Sequence, residues 1–383
     1  MDEITEKDIQ QLINFEDQPC ISLYMNTRKD AGKEVEKMRI QYKNLLSKAE
    51  KILKEKWNYD ERKTDKILSE AQSLTGERTF WQHQNRGLAV FLGPDFFTYY
   101  RIPRSVHEGA YVSRYFNIID IIPEFQNKDR YYVLALSRKQ NQLYQATRDS
   151  IELLEIDDLP ESIDAVESGV KIEDDPKYRS QSSGGSGQQA VFHGESAGDV
   201  DHPEKIRYIK QINNAISKFL QKEQSPLILM CVQDLFGLYR DLNTYPNFID
   251  EFVKGNPDKL QPEEIHAGSW NKMKDFFQEQ SRAIIEKYNN LINSEKTSSE
   301  IKDIVSAAVF GKIDKLLIKK GAGQPGKYDS EKNEVFLSNE LNADCYDLYN
   351  FSAIRCLNTG SEIHVLSEEM MPENTEIAAL YRF

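Results

Sequence analysis

The residues whose types and spacing best suit chemistry lie in one polar stretch, Ser183, Gly184, Gly185, Ser186, Gly187, Gln188, Gln189, Ala190, Val191 and Phe192. Glycines allow positive φ and let a ligand approach the backbone closely, while a glutamine carboxamide both donates and accepts hydrogen bonds. The surrounding 173–203 has almost no apolar periodicity, and long loops inside compact domains are often functional. The same composition also suits a flexible linker, and spacing alone leaves both readings open. A serine nucleophile elbow is excluded, because Gly184 to Gly187 has neither the G-x-S-x-G spacing nor a strand leading into it.

Other candidates carry less. Gly321 to Lys327, GAGQPGK, has the G-x-x-x-x-G-K spacing of a phosphate-cradling loop. However, Tyr328 stands where a Ser or Thr would meet magnesium, Pro325 removes an amide donor, and no amphipathic helix follows. A tight loop between strands is the expectation. The histidines at 83, 107, 193, 202, 266 and 364 show no metal-ligand pairing, and His193 and His202, which flank the glycine stretch, read as solvated surface. Acidic pairs such as Asp174 with Asp175 and Glu368 with Glu369 read as solvated faces, and no cluster of metal-binding carboxylates can be assembled. Cys20, Cys231, Cys345 and Cys356 are far apart with no C-x-x-C spacing, as expected of reduced core thiols. Neither a cofactor nor a metal is expected.

The elements that must position the glycine stretch are legible from periodicity. The spacing predicts a helix over 4–15, a strand over 20–25, and a long amphipathic helix carrying Val35, Met38, Tyr42, Leu45, Ala49 and Ile52 on one face. A helix over 61–74 and strands over 87–92, 96–102 and 116–122 complete a first α/β segment, 1–126. The second, 128–262, opens with strands over 131–136, 142–147 and 151–156. The glycine stretch follows them, then a helix over 203–220 with Ile206, Ile209, Ile212 and Ile216 at helical steps, and an apolar strand over 226–232. The aromatic-rich 234–254 reads as two short helices broken at Pro246. In the third segment, 263–383, helices are expected over 263–292, 299–310 and 346–358, with strands over 316–318, 334–337, 363–366 and the apolar terminus 377–383.

At 383 residues, with 39% hydrophobic and 29% charged, the chain has material for two or three cores and no bias toward disorder. No apolar run approaches the roughly 20 residues that span a bilayer, and the acidic start MDEITEKDIQ is unlike a signal peptide. A cytoplasmic protein without membrane contact is expected. A formal charge of −13 opposes a general grip on phosphate backbones, so any RNA contact must be local, as around Arg28 to Lys43.

The glycine stretch and its surroundings resemble the middle domain of the archaeal and eukaryotic class-1 peptide-chain release factors, a superfamily that includes Pelota and bacterial members. Ser186-Gly187-Gln188 stands where that family carries Gly-Gly-Gln, and Gln189, Ala190, Val191 and Phe192 follow as a small residue and Phe do there. The resemblance extends to ISLYM at 21–25 with GLAVFL at 87–92, to FGKIDKLLI at 310–318, and to GSEIHVL at 360–366 with ALYRF at 379–383. It implies three mixed α/β domains: an N-terminal one, a ribonuclease H-like middle one, and a C-terminal one like those of Pelota and the release factors. It also implies a translation factor of peptide release, ribosome rescue or hibernation. The partners it implies are the ribosome with its rRNA and tRNA, plus a translational GTPase at the C-terminal domain, with no DNA.

In that family the loop backbone and its Gln place water at the ester carbonyl of peptidyl-tRNA. The resemblance therefore implies catalytic roles for Gly187, Gln188 and Gln189, with Gly184, Gly185 and Ser186 as the rest of the loop. The alternative it leaves open is occupancy of the ribosome, or of another RNA, without hydrolysis. No N-I-K-S or Y-x-C-x-x-x-F pattern occurs in the first segment, so stop-codon reading is not expected.

Overall fold

A computed structural model of the chain describes residues 4–15, 17–28, 32–126, 129–156, 158–164, 203–222, 225–292 and 294–383. The chain divides into two compact units, Met1–Lys128 with Gln278–Phe383, and Asp129–Phe277.

The first unit begins with α1 (Glu6–Ile13), whose Thr5 and Asp8 form a reciprocal capping box that satisfies free amides of the first turn. There follow β1 (Cys20–Asn26), α2 (Val35–Lys56), α3 (Glu61–Leu74), α4 (Arg78–Gln82), β2 (Gly87–Gly93), β3 (Phe96–Ile102), β4 (Gly109–Ser113) and the single turn α5 (Ile122–Phe125). The four strands form an antiparallel sheet in the order β3-β2-β1-β4. Alternation along β1 and β2 sends Ile21, Leu23, Met25, Leu88, Val90 and Leu92 to one face, where they pack with Met38, Tyr42, Leu45, Leu68 and Trp81 of the helices. Cys20, Tyr24, Ala89 and Phe91 line the other face.

The sequence predicts a strand over 116–122, and there is none. The edge place beside β1 is taken by β4, and 116–121 is irregular backbone that leads into α5 at Ile122. Its polar groups are satisfied by side chains instead of a ladder. Asn117 N–H donates to Ser22 Oγ (2.9 Å), Ile118 N–H to Asn350 Oδ1 (2.9 Å), and Tyr24 Oη and Asn350 Nδ2 donate to the carbonyls of Asn117 and Phe116. Buried backbone must find partners, and side chains supply them as well as a strand does.

The second unit carries β5 (Tyr131–Leu136), β6 (Asn141–Ala146), β7 (Ile151–Leu154), α6 (Pro203–Phe219), β8 (Leu227–Cys231), α7 (Gln233–Leu242), β9 (Phe248–Lys254) and the start of α8 (Pro262–Leu291). Its sheet runs β7-β6-β5-β8-β9. The first three strands form an antiparallel meander, and β8 and β9 lie parallel to β5 and to one another. That order and direction are those of a ribonuclease H-like sheet. Tyr132, Leu134 and Leu136 meet Tyr208, Ile209, Ile212 and Ile216 of α6 on one face. Tyr131, Val133 and Ala135 meet Ile265 and Met273 of α8 on the other. Two helices are predicted over 234–254, and the structure has one helix and a strand. Pro246 separates them, and Phe252 of β9 stacks on Phe236 of α7 with ring centroids 4.3 Å apart. Asp250 and Glu251 keep this sheet edge exposed and charged, which discourages further strand pairing.

From Gln278 onward the chain belongs to the first unit again. Ile284, Ile285 and Tyr288 of α8 pack on Leu317, Ala378 and Leu380. The remaining elements are β10 (Thr297–Ser298), α9 (Ile301–Val309), β11 (Ile313–Lys319), β12 (Pro325–Asp329), β13 (Glu334–Leu337), β14 (Tyr346–Asp347), α10 (Leu348–Asn358), β15 (Glu362–Leu366) and β16 (Ile377–Tyr381). They make a sheet β10-β16-β11-β15, in which β11 and β15 are parallel, and a small sheet β13-β12-β14. The apolar terminus is a central strand, as its composition implies. One hydrophobic cluster joins Ile9, Phe91, Phe116 and Ile118 to Ile304, Leu316, Ile354, Ile363 and Ile377, so the first and last segments of the chain share a core. Among the described residues no helix is long and apolar enough to cross a membrane.

Candidate functional site

The loop residues Gly184, Gly185, Ser186, Gly187, Gln188 and Gln189 lie outside the described residues, as do His193 and His202. The structure does describe what frames them. The 165–202 segment leaves after Asp164 and re-enters at Pro203, the first residue of α6, and both flanks are tied to the turn between β5 and β6.

That turn is built by Ser137. Its Oγ accepts from Lys139 N–H and Gln140 N–H, both at 3.0 Å, which closes the polar hairpin. On the leading flank, Asn141 N–H donates to Glu161 O (3.0 Å), Asn141 Nδ2 to Pro160 O (2.8 Å), and Ile163 N–H to Arg138 O (2.9 Å). On the trailing flank, Tyr208 lies in the second turn of α6 and is fully buried. Its hydroxyl accepts from Asn141 Nδ2 (2.6 Å) and donates to Ser137 O (2.6 Å). Burial pushes the Tyr208 phenol up to about 12, so it keeps its proton and remains a donor at neutral pH. Asn141 and Tyr208 therefore form a buried clamp that holds both ends of the segment on one hairpin.

Beside the clamp is a groove of about 290 Å³ at the carboxyl ends of β5, β8 and β9, lined by Arg138, Lys139, Lys205, Asp234, Asn256 and Asp258 among others. The carboxyl ends of parallel strands, where the chain order switches between β5 and β8, are where open α/β sheets commonly bind ligands. Asn256 Oδ1 accepts from Asp258 N–H and its Nδ2 donates to Asp258 Oδ2, while Asp258 Oδ1 is buried with no hydrogen-bond partner among the described residues. Arg138, Lys139 and Lys205 give the groove local positive charge on a chain whose total is −13. Sequence reasoning passed over Ser137, Asn141 and Tyr208. Their signal was a serine and an asparagine bracketing a short polar turn, and a tyrosine on an otherwise isoleucine-rich helix face.

Among the described residues no three His, Cys, Asp or Glu side chains are placed to hold a metal ion. Among the described residues that line the groove, Asp234 and Asp258 are the carboxylates. The cysteines are free thiols, and burial pushes Cys20, Cys231 and Cys356 up to about 12, which leaves them unreactive.

Of the GAGQPGK stretch, Gly321 to Gln324 form the loop after β11, and Pro325 to Lys327 begin β12. Gln324 N–H donates to Asp347 Oδ1 (3.3 Å), and Gln324 O accepts from Leu348 N–H (2.8 Å). A Cβ on Gly326 would stand 2.6 Å from both Leu348 Cδ1 and Phe336 O, so this glycine answers packing and not a phosphate.

No curated relative matches the chain by sequence. Among solved structures, the chain is similar to that titled a model of ribosome-bound archaeal Pelota and ABCE1, at 9% identity over 98% of this chain and 94% of that one, TM-score 0.41. It is similar to Dom34 of S. cerevisiae, a translation termination-like factor, at 14% identity over 78% and 75%, TM-score 0.38. An archaeal translation termination factor, aRF1, aligns at 12% identity over 100% of both chains, TM-score 0.24. Residues 131–275, which run from the first strand of the second unit into α8 and enclose the glycine stretch, match the bacterial archaeo-eukaryotic release factor family 7.

Proposed function

We propose that this protein is a release-factor-like translation factor that binds the ribosome and presents the 183–189 stretch to the peptidyl-tRNA end. The observation that carries the proposal is the family match of residues 131–275 around a segment whose two flanks are clamped to one hairpin by Asn141 and Tyr208. A clamped base supports a long loop at a fixed place on a rigid sheet, where a loop that reaches into a remote site must be anchored. In this reading 1–126, 128–262 and 263–383 are three functional segments, with the first toward the decoding region and the last toward a translational GTPase. The protein acts in the cytoplasm, in ribosome rescue or hibernation.

If the loop hydrolyses peptidyl-tRNA, Gln188 orients the attacking water, the Gly187 backbone lets the loop approach the ester, and Gln189 supports Gln188. Backbone amides aimed at a developing oxyanion are a strong source of transition-state stabilisation. A second reading is favoured by one observation, Ser186 in the place of the first glycine. A Cβ there restricts the backbone, and the loop then occupies the ribosome without hydrolysis.

Cosedimentation with ribosomes at low salt, and release of peptide from ribosome-bound peptidyl-tRNA, test the two readings together with Gln188→Ala and Gly187→Ala. Release that falls by about a hundredfold or more in Gln188→Ala, the scale on which loss of a transition-state hydrogen bond is felt, supports hydrolysis. Binding without release supports occupancy. Failure to cosediment overturns the proposal.

A further inference from the structure

Away from the second unit, the first unit contains a cavity of about 440 Å³ lined by Ile13, Asn14, Phe15, Gln18, Arg114, Tyr115, Ile354, Arg355 and Asn358. The volume is in the range of small-molecule sites. Among the described residues that line it are two guanidinium groups and three carboxamides, and no carboxylate. Such a wall attracts an oxyanion.

The arginines are held in place by rings. Arg355 lies over the Phe351 ring at 4.9 Å and Arg114 over the Tyr115 ring at 6.0 Å, and these two rings are themselves 5.6 Å apart. The two rings, tilted 45° to one another, form a shelf beside both guanidinium groups that does not use up their N–H donors. Neither arginine makes an ion pair with a carboxylate among the described residues, although acidic residues outnumber basic ones in this chain by 62 to 49. Arg355 Nε is buried with no hydrogen-bond partner among the described residues, so the N–H groups open to a ligand are those at the end of the fork.

A structural explanation covers part of this. Arg355 sits in the last turn of α10, where a cation offsets the helix dipole. It does not account for a second arginine on the same cavity, or for Asn14, Gln18 and Asn358 around it.

We propose that this cavity is a phosphate site, in which Arg114 and Arg355 hold a phosphate group through their N–H forks and the carboxamides contact whatever carries it. Paired guanidinium forks match phosphate oxygens in geometry as well as charge. The phosphate comes either free from solution or on the end of an RNA strand. This site stands independently of ribosome binding, because the isolated full-length chain contains all of its residues.

The test is isothermal titration of the full-length chain with inorganic phosphate, and with a short oligoribonucleotide with and without a terminal phosphate, at fixed ionic strength. One-to-one binding of inorganic phosphate is expected, weakened about tenfold or more by Arg114→Ala and by Arg355→Ala, since each removes one charge-assisted fork. Arg355→Lys, which keeps the charge but not the fork, serves if Arg355→Ala does not fold, and it is expected to weaken binding as well. Tighter binding of the phosphorylated oligonucleotide than of its hydroxyl counterpart, with competition by inorganic phosphate, assigns the group to an RNA end. Equal affinity for inorganic phosphate alone assigns it to the free ion. No saturable binding of any probe, or binding that all three variants retain unchanged, overturns the proposal.

Discussion

Replacing Asp347 by Asn tests the electrostatics of the first unit most directly. Asp347 caps α10: its Oδ1 accepts from Tyr349 N–H (2.8 Å), Asn350 N–H (3.4 Å) and Gln324 N–H (3.3 Å). Burial nonetheless dominates over these donors and raises the carboxyl from its ordinary 3.8 to about 6. The folded state therefore binds the Asp347 proton more tightly than the unfolded chain does. By linkage, the stability this proton confers is full below about pH 4, is lost as pH rises toward about 6, and stays lost above that. At ~1.4 kcal/mol for each unit between 3.8 and about 6, the loss is about 3 kcal/mol.

Asp347→Asn keeps an oxygen for the three donors and carries no charge at any pH. The variant should match or fall slightly below wild type near pH 4 and gain on it by up to about 3 kcal/mol by pH 7, less the cost of burying the new amide N–H groups. Urea denaturation at a series of pH values measures this. Tryptophan emission in a Trp270→Phe background then reports the first unit alone, because Trp57 and Trp81 remain there and Trp270 lies in the second. Asp120 is raised by burial in the same direction, so only the difference between variant and parent isolates Asp347. A difference that stays constant from about pH 4 to about 8 would refute the reasoning, since it would mean that Asp347 titrates alike in both states.

Other outcomes are fixed by single contacts. Tyr208→Phe leaves Ser137 O without its donor and Asn141 Nδ2 with only Pro160 O, and should destabilise the second unit by about 1–3 kcal/mol in urea denaturation followed through Trp270. Under the proposed function it also weakens loop-dependent activity at the ribosome more than ribosome binding. Gly326→Ala places a methyl against Phe336 O and Leu348 Cδ1, and a loss of about 1–3 kcal/mol is expected, with no change in nucleotide affinity. A nucleotide-binding defect in that variant would restore the phosphate-loop reading of GAGQPGK. Phe116→Ala opens the core shared by the first and last segments, and should lower stability by about 3–5 kcal/mol. Protease-resistant fragments at 1–128 that survive this change would argue against a shared core.

The periodic elements were legible because their signals are local. The isoleucines of α6 present one face to a core at helical period, while β1, β2, β8 and the terminal strand are buried on both faces and read as continuous apolar runs. The glycine stretch was legible by composition, and the family match of the residues around it was anticipated by the order of its neighbours. Tertiary structure decided what period could not. The run 116–122 looks like a strand because it is buried on several sides, yet its backbone is paired by Ser22, Tyr24 and Asn350, the last more than 200 residues away. The segment 248–254 became a strand because β8 offered a parallel edge and Phe236 a ring to stack on, neither of which a local window contains. The clamp of Asn141 on Tyr208 and the pair Arg114 with Arg355 join residues 67 and 241 positions apart. Hydrogen bonds and charge act through space over a few ångströms, so sites assembled from distant segments leave no period along the chain to read.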